Sequence, residues 1–162
     1  METWLALAQG APRLQLGEGD TLLSEGTRSE RLFVLLDGVL RVEKGGVPVA
    51  SIRERGACVG EVSLLLNVPA TADVVASEST TVAVLDDAAR VLASDASASL
   101  ALARMLATRL QNMTTYLADL QRQYGHHEGG LGMVGAVLGT LMHRSNDQRS
   151  ELRSERDPEP EY

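Results

Sequence analysis

Two changes in the spacing of apolar residues divide the sequence into three parts. Residues 2–9 form a short amphipathic segment around Trp4 and Leu7, which Gly10 ends. From residue 14 to residue 86, short apolar runs alternate with turn residues, as they do in all-β barrels and sandwiches. After Leu85 the apolar period lengthens from two residues to about 3.6, the period of a helix. The sequence therefore predicts a small helix, a β domain and a helical C-terminal part.

The β domain contains eight runs typical of strands, and turn dipeptides separate several of them. The runs are RLQL, TLLS, RLFVLL, VLRVEK, VPVASI, GACV, ADVVAS and TTVAVL. Asp37 and Gly38 form a dipeptide typical of tight hairpins, and Gly45 and Gly46 indicate the next reversal. We therefore expect the chain to fold back on itself at each of these two pairs.

The helical part begins with two helices that short polar residues can cap. Asp86 and Asp87 can cap a short helix through Leu92, and Ser94 or Asp95 can cap a long helix that reaches residue 124. In the long helix, apolar residues recur at alternating spacings of four and three, namely Leu106, Leu110, Met113, Leu117, Leu120 and Tyr124. This seam favours a coiled-coil homodimer, and the alternative is a helix packed on its own β domain.

Two further segments follow the long helix. Gly125 ends that helix, and residues 125–144 predict an extra short helix whose glycines would allow close backbone approach. Its apolar face consists of Leu131, Val134, Leu138 and Leu141. We expect this face to dock onto the dimer or onto another protein. Residues 145–162 are charged and low in apolar residues, so we expect a disordered tail.

Composition and charge exclude several classes of function. The chain of 162 residues has a formal charge of −7 and few aromatic side chains, which disfavours nucleic-acid binding through phosphates or base stacking. The lone Cys58 excludes an intrachain disulfide and a cysteine-based zinc cluster. No window reaches transmembrane length, and no basic region precedes the N-terminal apolar run. We expect a soluble cytoplasmic protein that contacts no membrane.

No catalytic or metal-binding constellation stands out in the sequence. His126 and His127 lie in a glycine-flanked break and His143 lies near the tail, and none has the spacing of a metal motif. The neighbouring aspartates at 86 and 87 fit a helix cap better than an acid–base pair. We therefore expect no enzyme, no metal centre and no cofactor.

One stretch, residues 60–76, has the order of an anion-binding loop. Gly60 and Glu61 open it, a short apolar helical turn follows, Pro69 interrupts it, and a β-branched strand comes next. The first turn of a helix leaves backbone N–H groups without intrahelical partners, and the helix dipole favours anions there. Spacing alone does not separate this stretch from an ordinary loop, so its interpretation depends on the surrounding sequence.

The surroundings of this stretch resemble the cyclic-nucleotide-binding domain of the catabolite-activator and protein-kinase-A regulatory family. The similar runs are GDTLLSEGTRSERLFVLLDGVLRVEK, GACVGEVSLLLNVPATADVVAS and ATRLQNMTTYLADL, and the resemblance covers about residues 4–124. It implies an α+β fold, with an eight-stranded antiparallel, jelly-roll-like β-roll, a short N-terminal helix, a cassette helix and a long C-terminal dimerisation helix over 95–124. It also implies one domain over residues 1–124. Too few residues follow for the family's winged helix-turn-helix, so we expect a stand-alone regulatory protein without a DNA-binding domain.

The same resemblance implies roles for residues of the cassette, which comprises residues 60–76. Gly60 and Glu61 match the pair in which the glutamate accepts a hydrogen bond from the ribose 2′-hydroxyl. Val62 and Ser63 fall in the short helix whose backbone N–H groups would face phosphate. Thr71 matches a small-residue position that touches phosphate in some members. The implied ligand is cyclic AMP or cyclic GMP.

The long helix would complete the pocket. Arg109 resembles an arginine that lies near the ribose glutamate, and Thr114 and Thr115 resemble hydroxyl residues that contact adenine from both subunits. Threonines on a helix also bond back to their own helix or face water. A pair between Arg109 and Glu61 could instead hold an empty cassette closed.

Ala70 is the departure from the family pattern, because many members have an arginine there. An arginine fork on phosphate is a charge-assisted, bidentate contact that alanine does not supply. Two hypotheses remain open. The protein binds a cyclic mononucleotide and signals through a partner as a homodimer, or it is a degenerate, ligand-free β-roll that serves as a dimeric interaction, adaptor or cargo module.

Overall fold

The computed structural model describes residues 2–124, with the backbone alone at residues 121, 123 and 124. Its elements in chain order are α1 (Glu2–Ala8), β1 (Arg13–Leu16), β2 (Thr21–Leu23), β3 (Leu32–Asp37), β4 (Leu40–Lys44), β5 (Val47–Ile52), β6 (Cys58–Val59), α2 (Glu61–Leu66), β7 (Asp73–Ala76), β8 (Thr80–Leu85), α3 (Ala88–Ser94) and α4 (Ala96–Tyr124). The boundary between two compact units of the chain falls between Ala107 and Thr108, within α4. The predicted strands, N-terminal helix, cassette helix and long helix are confirmed.

Two four-stranded antiparallel sheets form the β-roll. One has the order β1-β8-β3-β6 and the other β2-β7-β4-β5. Strands β4 and β5 pair as a hairpin, and Gly45 and Gly46 at its tip have φ angles of 55° and 77°. Two positive φ angles match the right-handed twist of the flanking strands, as in a type I′ turn. The predicted reversal at this pair is confirmed.

The predicted hairpin at Asp37 and Gly38 is wrong, because β3 and β4 lie in different sheets. The dipeptide instead forms a corner at which the chain crosses from one sheet to the other. Gly38 has a φ of 91°, and a Cβ there would lie 2.6 Å from the carbonyl oxygen of Ser79. The buried Thr80 hydroxyl accepts a hydrogen bond from the Val39 N–H at 3.1 Å. Glycine is thus needed here for a close crossing between strands, which the dipeptide alone does not reveal.

Strand β3 is buried on both faces and joins two hydrophobic clusters. Phe33 and Leu35 point into the interior of the roll, whereas Leu32 and Val34 pack in a second cluster with Trp4, Cys58, Ala83, Ala98 and Leu102. A strand covered on both faces needs a nearly continuous apolar run, which explains RLFVLL. Cys58 is fully buried in this second cluster, where it packs as a small apolar residue.

The two C-terminal helices begin differently. Asp87 is the N-terminal cap residue of α3, but its side chain makes no capping bond and pairs with Arg90 at 2.8 Å. Asp86 pairs with Arg31 at 2.7 Å, so the prediction that these aspartate side chains cap α3 is wrong. Asp95 caps α4 as predicted, because its carboxylate accepts hydrogen bonds from the N–H groups of residues 97 and 98.

The residues of the predicted seam on α4 differ in burial along the helix. Leu106 packs against the Trp4 cluster of its own unit. Leu110 and Met113 expose 67% and 62% of their surface, and Leu117 and Leu120 are half-buried. The dimer therefore stays a prediction. The side chain of Tyr124 lies outside the described residues, as do His126, His127, His143, the docking face of Leu131, Val134, Leu138 and Leu141, and the tail at 145–162.

Candidate functional site

The cassette begins at a backbone position that only glycine fits. Gly60 has a φ of 94° and precedes α2 as its N-terminal cap residue. A Cβ at this position would lie 2.6 Å from the carbonyl oxygen of Arg31, just before β3. Both the positive φ and the close approach exclude a side chain. The entry to the cassette is therefore fixed against the loop between β2 and β3.

Helix α2 has its polar side chains inside and its apolar side chains outside. Glu61 and Ser63 are 5% and 6% exposed, whereas Leu65 and Leu66 are 50% and 66% exposed. Acidic side chains are rarely buried in proteins, so a buried glutamate beside exposed leucines is the informative observation here. Departures from the ordinary burial pattern are typical of functional or strained sites.

A turn in the left-handed region ends α2. Asn67 has a φ of 52°, and its N–H donates to the carbonyl of Ser63. Arg28 from the β2–β3 loop donates to the Asn67 side-chain oxygen at 3.4 Å. Asparagine tolerates this conformation better than most residues with a side chain. The turn brings Pro69 and the following residues back toward the same loop.

Ala70, at the position of the expected arginine, is 5% exposed and is held by its backbone. Its N–H donates to the carbonyl of Thr27 and its carbonyl accepts from the N–H of Gly26, each at 2.7 Å. The methyl side chain contributes no charge and no hydrogen bond at this point. The cassette therefore has no cationic side chain at position 70, where two backbone hydrogen bonds hold it to the β2–β3 loop.

Polar side chains from two other segments meet the end of the cassette. Lys44, the last residue of β4, donates to the carbonyl of Thr71 and forms an ion pair with Glu25. The second carboxylate oxygen of Glu25 accepts from the Gly45 N–H at 3.0 Å. The bond from Lys44, and then that from Gly45, hold the pKa of Glu25 below its ordinary value. The Glu25 N–H also donates to Asp73 at 2.7 Å.

The sequence did not single out Glu25 or Lys44. Both lie in the run that resembles the family, but neither is part of a local motif. They come together because β4 pairs with β7 and because β2 pairs with the other side of β7. Their placement depends on strand pairing between distant parts of the chain, which spacing along the sequence does not encode.

The predicted ligand-binding residues of the long helix lie in the second compact unit. The hydroxyls of Thr114 and Thr115 donate to the backbone carbonyls of Leu110 and Gln111, at 2.9 and 3.0 Å. These are the helical back-bonds that the sequence left open as an alternative. Arg109 is half-buried. The roles of these three residues toward a ligand, and the pairing of Arg109 with Glu61, stay predictions.

A cavity of about 260 Å³ lies beside α2. Loop residues 28–30 form one wall, Ser63, Leu64 and Asn67 form another, and Ala89 of α3 contributes to its lining. Glu61, Ala70 and Thr71 do not line it. Among the predicted nucleotide contacts, Ser63 is therefore the one that this cavity shares.

The described residues contain neither a candidate metal cluster nor a candidate membrane span. No group of three or more histidine, cysteine, aspartate or glutamate side chains in residues 2–124 could hold a metal ion. Within the same range, no helix is long and apolar enough to span a bilayer.

The β-roll region matches the model of a known protein family. Residues 13–91 match the family model of the cyclic nucleotide-binding domain, and this region contains the cassette and both sheets. The match covers 79 of the 162 residues, and within this region the chain is similar to the cyclic nucleotide-binding domain family. Domains of this family regulate rather than catalyse, so the fold supports a regulatory binding role. No curated protein shows significant sequence similarity to the chain.

Solved structures agree with this assignment. The chain is 25% identical to the catabolite activator protein of Thermus thermophilus, with a TM-score of 0.61 over 75% of this chain and 60% of that one. It is 26% identical to a cyclic nucleotide-binding domain of Methylobacillus flagellatus, with a TM-score of 0.52 over 74% of this chain and 69% of that one. A protein of a cyclic-GMP-dependent signalling pathway in bacterial phytopathogenesis shares the fold, with 21% identity and a TM-score of 0.57 over 69% and 94% of the two chains.

Proposed function

We propose that the protein is a regulatory protein that binds a cyclic mononucleotide, cyclic AMP or cyclic GMP, at the cassette. The observation that carries the proposal is the inverted helix α2, which buries Glu61 and Ser63 and exposes Leu65 and Leu66. A carboxylate accepts several hydrogen bonds at its two oxygens, so Glu61 can accept one from a sugar hydroxyl beside its contacts within the protein. Glu61 would accept this bond from the ribose 2′-hydroxyl.

The phosphate and the base of the nucleotide would contact other parts of the chain. Thr71 is exposed at the end of the cassette and offers a hydroxyl to the phosphate. Arg109, Thr114 and Thr115 would contribute from α4. Each threonine oxygen keeps acceptor capacity while its proton is used in the helical back-bond. Such oxygens can accept from an exocyclic amine of adenine or guanine.

Ala70 sets the expected affinity. Removing one partner of a partly buried charge pair costs roughly 2 to 5 kcal/mol, which is on the order of 30- to 3,000-fold in affinity. We therefore expect binding that is weak beside that of relatives with an arginine at this position.

The regulatory output would pass through a homodimer and a protein partner. Leu110 and Met113 present an exposed apolar stripe on α4, which a second copy of the same helix could cover. The apolar face of Leu131, Val134, Leu138 and Leu141 would then dock the partner. Deletion of residues 129–162 should abolish capture of that partner while sedimentation still shows the dimer. Loss of both the partner and the dimer in this truncated variant would contradict the division of roles.

A second candidate function is a ligand-free interaction module on the same fold. The observation that favours it is Ala70, whose buried methyl group and paired backbone leave no cationic contact at position 70. In this case the β-roll would be a rigid carrier for the dimer and its docking face. A nucleotide that copurifies with the protein, detected by mass spectrometry of an acid extract, would contradict this candidate.

Calorimetry on the natural protein and two variants distinguishes the candidates. The natural chain is titrated with cyclic AMP, cyclic GMP and cyclic dinucleotides at up to millimolar concentration. Ala70→Arg should bind a cyclic mononucleotide on the order of 30- to 3,000-fold more tightly. Ala70→Met is the matched control, with similar length and no charge, and should show no gain. The absence of heat from the natural chain with every ligand would overturn the first function, and binding by Ala70→Arg alone would then support the second.

A further inference from the structure

Three segments of the β-roll meet at the end of the cassette. The loop after β2 contributes Glu25, the tip of the β4–β5 hairpin contributes Lys44 and Gly45, and the cassette contributes Thr71 and Asp73. Lys44 lies between the other two segments, because it binds both the Glu25 carboxylate and the Thr71 carbonyl. The meeting point therefore contains a cation that contacts the residue directly after Ala70.

The ammonium of Lys44 suits an anion site at this point. An ammonium has three donors, and Lys44 donates to two acceptors among the described residues, Glu25 and Thr71. The Lys44 side chain is 57% exposed and the Glu25 side chain 31%, so an incoming ligand can reach both. A lysine carries its charge on a flexible four-carbon stem, so its ammonium can change partners without a shift of the backbone.

We propose that Lys44 supplies the positive charge for the phosphate in the cassette, in place of the arginine absent at position 70, and that Glu25 occupies Lys44 until the phosphate arrives. This inference rests on the proposed function. The lowered pKa of Glu25 agrees with it, because Lys44 stabilises a charged carboxylate at neutral pH. Glu25 then competes with the phosphate for the same ammonium.

This exchange predicts opposite effects for the two partners of one ion pair. Lys44→Gln removes the cation and should weaken cyclic AMP binding about two- to fivefold, the range of a partly exposed charge pair. Lys44→Arg keeps the cation and should bind within about threefold of the natural protein. Glu25→Gln removes the competing anion and should strengthen binding about two- to fivefold. The double variant of Glu25→Gln and Lys44→Gln should show no strengthening, because no ammonium is left to release.

Two comparisons separate this role from a general effect of charge or stability. Arg90 and Asp87 form another exposed ion pair, on α3, with the Arg90 side chain 79% exposed. Arg90→Gln and Asp87→Asn repeat the same charge changes and should leave the affinity for cyclic AMP unchanged. Adenosine lacks the phosphate, so its affinity should be equal in the natural protein and in Lys44→Gln. Urea unfolding of each variant checks that the fold is intact.

The titrations give outcomes that decide each proposal separately. If the natural protein binds cyclic AMP or cyclic GMP and Lys44→Gln binds it equally well, the role of Lys44 is refuted and the proposed function stands. If Lys44→Gln weakens adenosine as much as cyclic AMP, or if Lys44→Arg does not restore binding, Lys44 is structural and the inference fails. If the natural protein binds no cyclic nucleotide, the proposed function fails and the role of Lys44 with it.

Discussion

The entry to the cassette depends on one glycine, and replacing it has a cost that the geometry sets. Gly60→Ala places a methyl group on a backbone with a φ of 94° and 2.6 Å from the carbonyl oxygen of Arg31. A residue with a side chain in a sparsely populated backbone region costs about 1–3 kcal/mol. Forcing an extra carbon into a packed site costs about 1–3 kcal/mol more. We expect the free energy of unfolding to fall by about 2–6 kcal/mol, a large part of the about 5–15 kcal/mol typical of a domain.

A second glycine separates these two costs. Gly19 has a similar φ of 87°, and a Cβ built there would meet no heavy atom within 4 Å. Gly19→Ala should therefore show the backbone cost alone. Urea unfolding can be followed by the fluorescence of Trp4, which is 1% exposed in the core. Equal losses of stability in the two variants would show that the cassette can move away from Arg31, and would refute the rigid entry described above.

Two further predictions concern the helix seam and the junction at Glu25. Changing Leu110 and Leu117 to glutamate should halve the mass in analytical ultracentrifugation, because like charges would face each other across the seam. The control Asn112→Glu lies off the seam and should leave the mass unchanged. An unchanged mass in the seam variant would mean that the stripe packs within one chain. Because the pKa of Glu25 is lowered from 4.5, its charge contributes stability above pH 4.5, and this contribution is lost as the pH falls through the lower folded-state pKa. The stability difference between the natural protein and Glu25→Gln should thus be constant above about pH 5 and shrink in acid, and a difference independent of pH would contradict the pairing with Lys44.

Much of the fold could be predicted because strands and turns leave local signals. The β-branched runs coincide with the observed strands, and Gly45 and Gly46 form the hairpin tip. The failure at Asp37 and Gly38 has a physical cause. The same dipeptide serves a hairpin or a corner between sheets, and the choice depends on the approach of Thr80 from a distant part of the chain. The sequence predicts the local backbone conformation there, but it does not predict which strand pairs next.

The candidate site was predictable only in its contiguous part. Gly60, Glu61 and Ser63 were predicted as site residues from one stretch, and the structure places them on α2 and its cap; their contact with a ligand stays a prediction. The burial of Glu61 and the exposure of Leu66 could not be predicted, since the helix pattern points the other way. Lys44 reaches the cassette only through the pairing of β4 with β7. Residues that meet by strand pairing have no local sequence motif that reveals their contact.

The loop between β2 and β3 packs along the cassette. Gly26 and Thr27 pair with Ala70 at one end, Arg31 lies against Gly60 at the other, and Arg28 reaches the turn between them. Residues 26–31 thus contact the cassette at Gly60, Asn67 and Ala70, and a change in the length or shape of this loop would move these points relative to one another. Loops tolerate insertions and deletions better than the strands they connect. The separation of Gly60 and Ala70 could therefore be changed through this loop, without replacing any residue of the cassette itself.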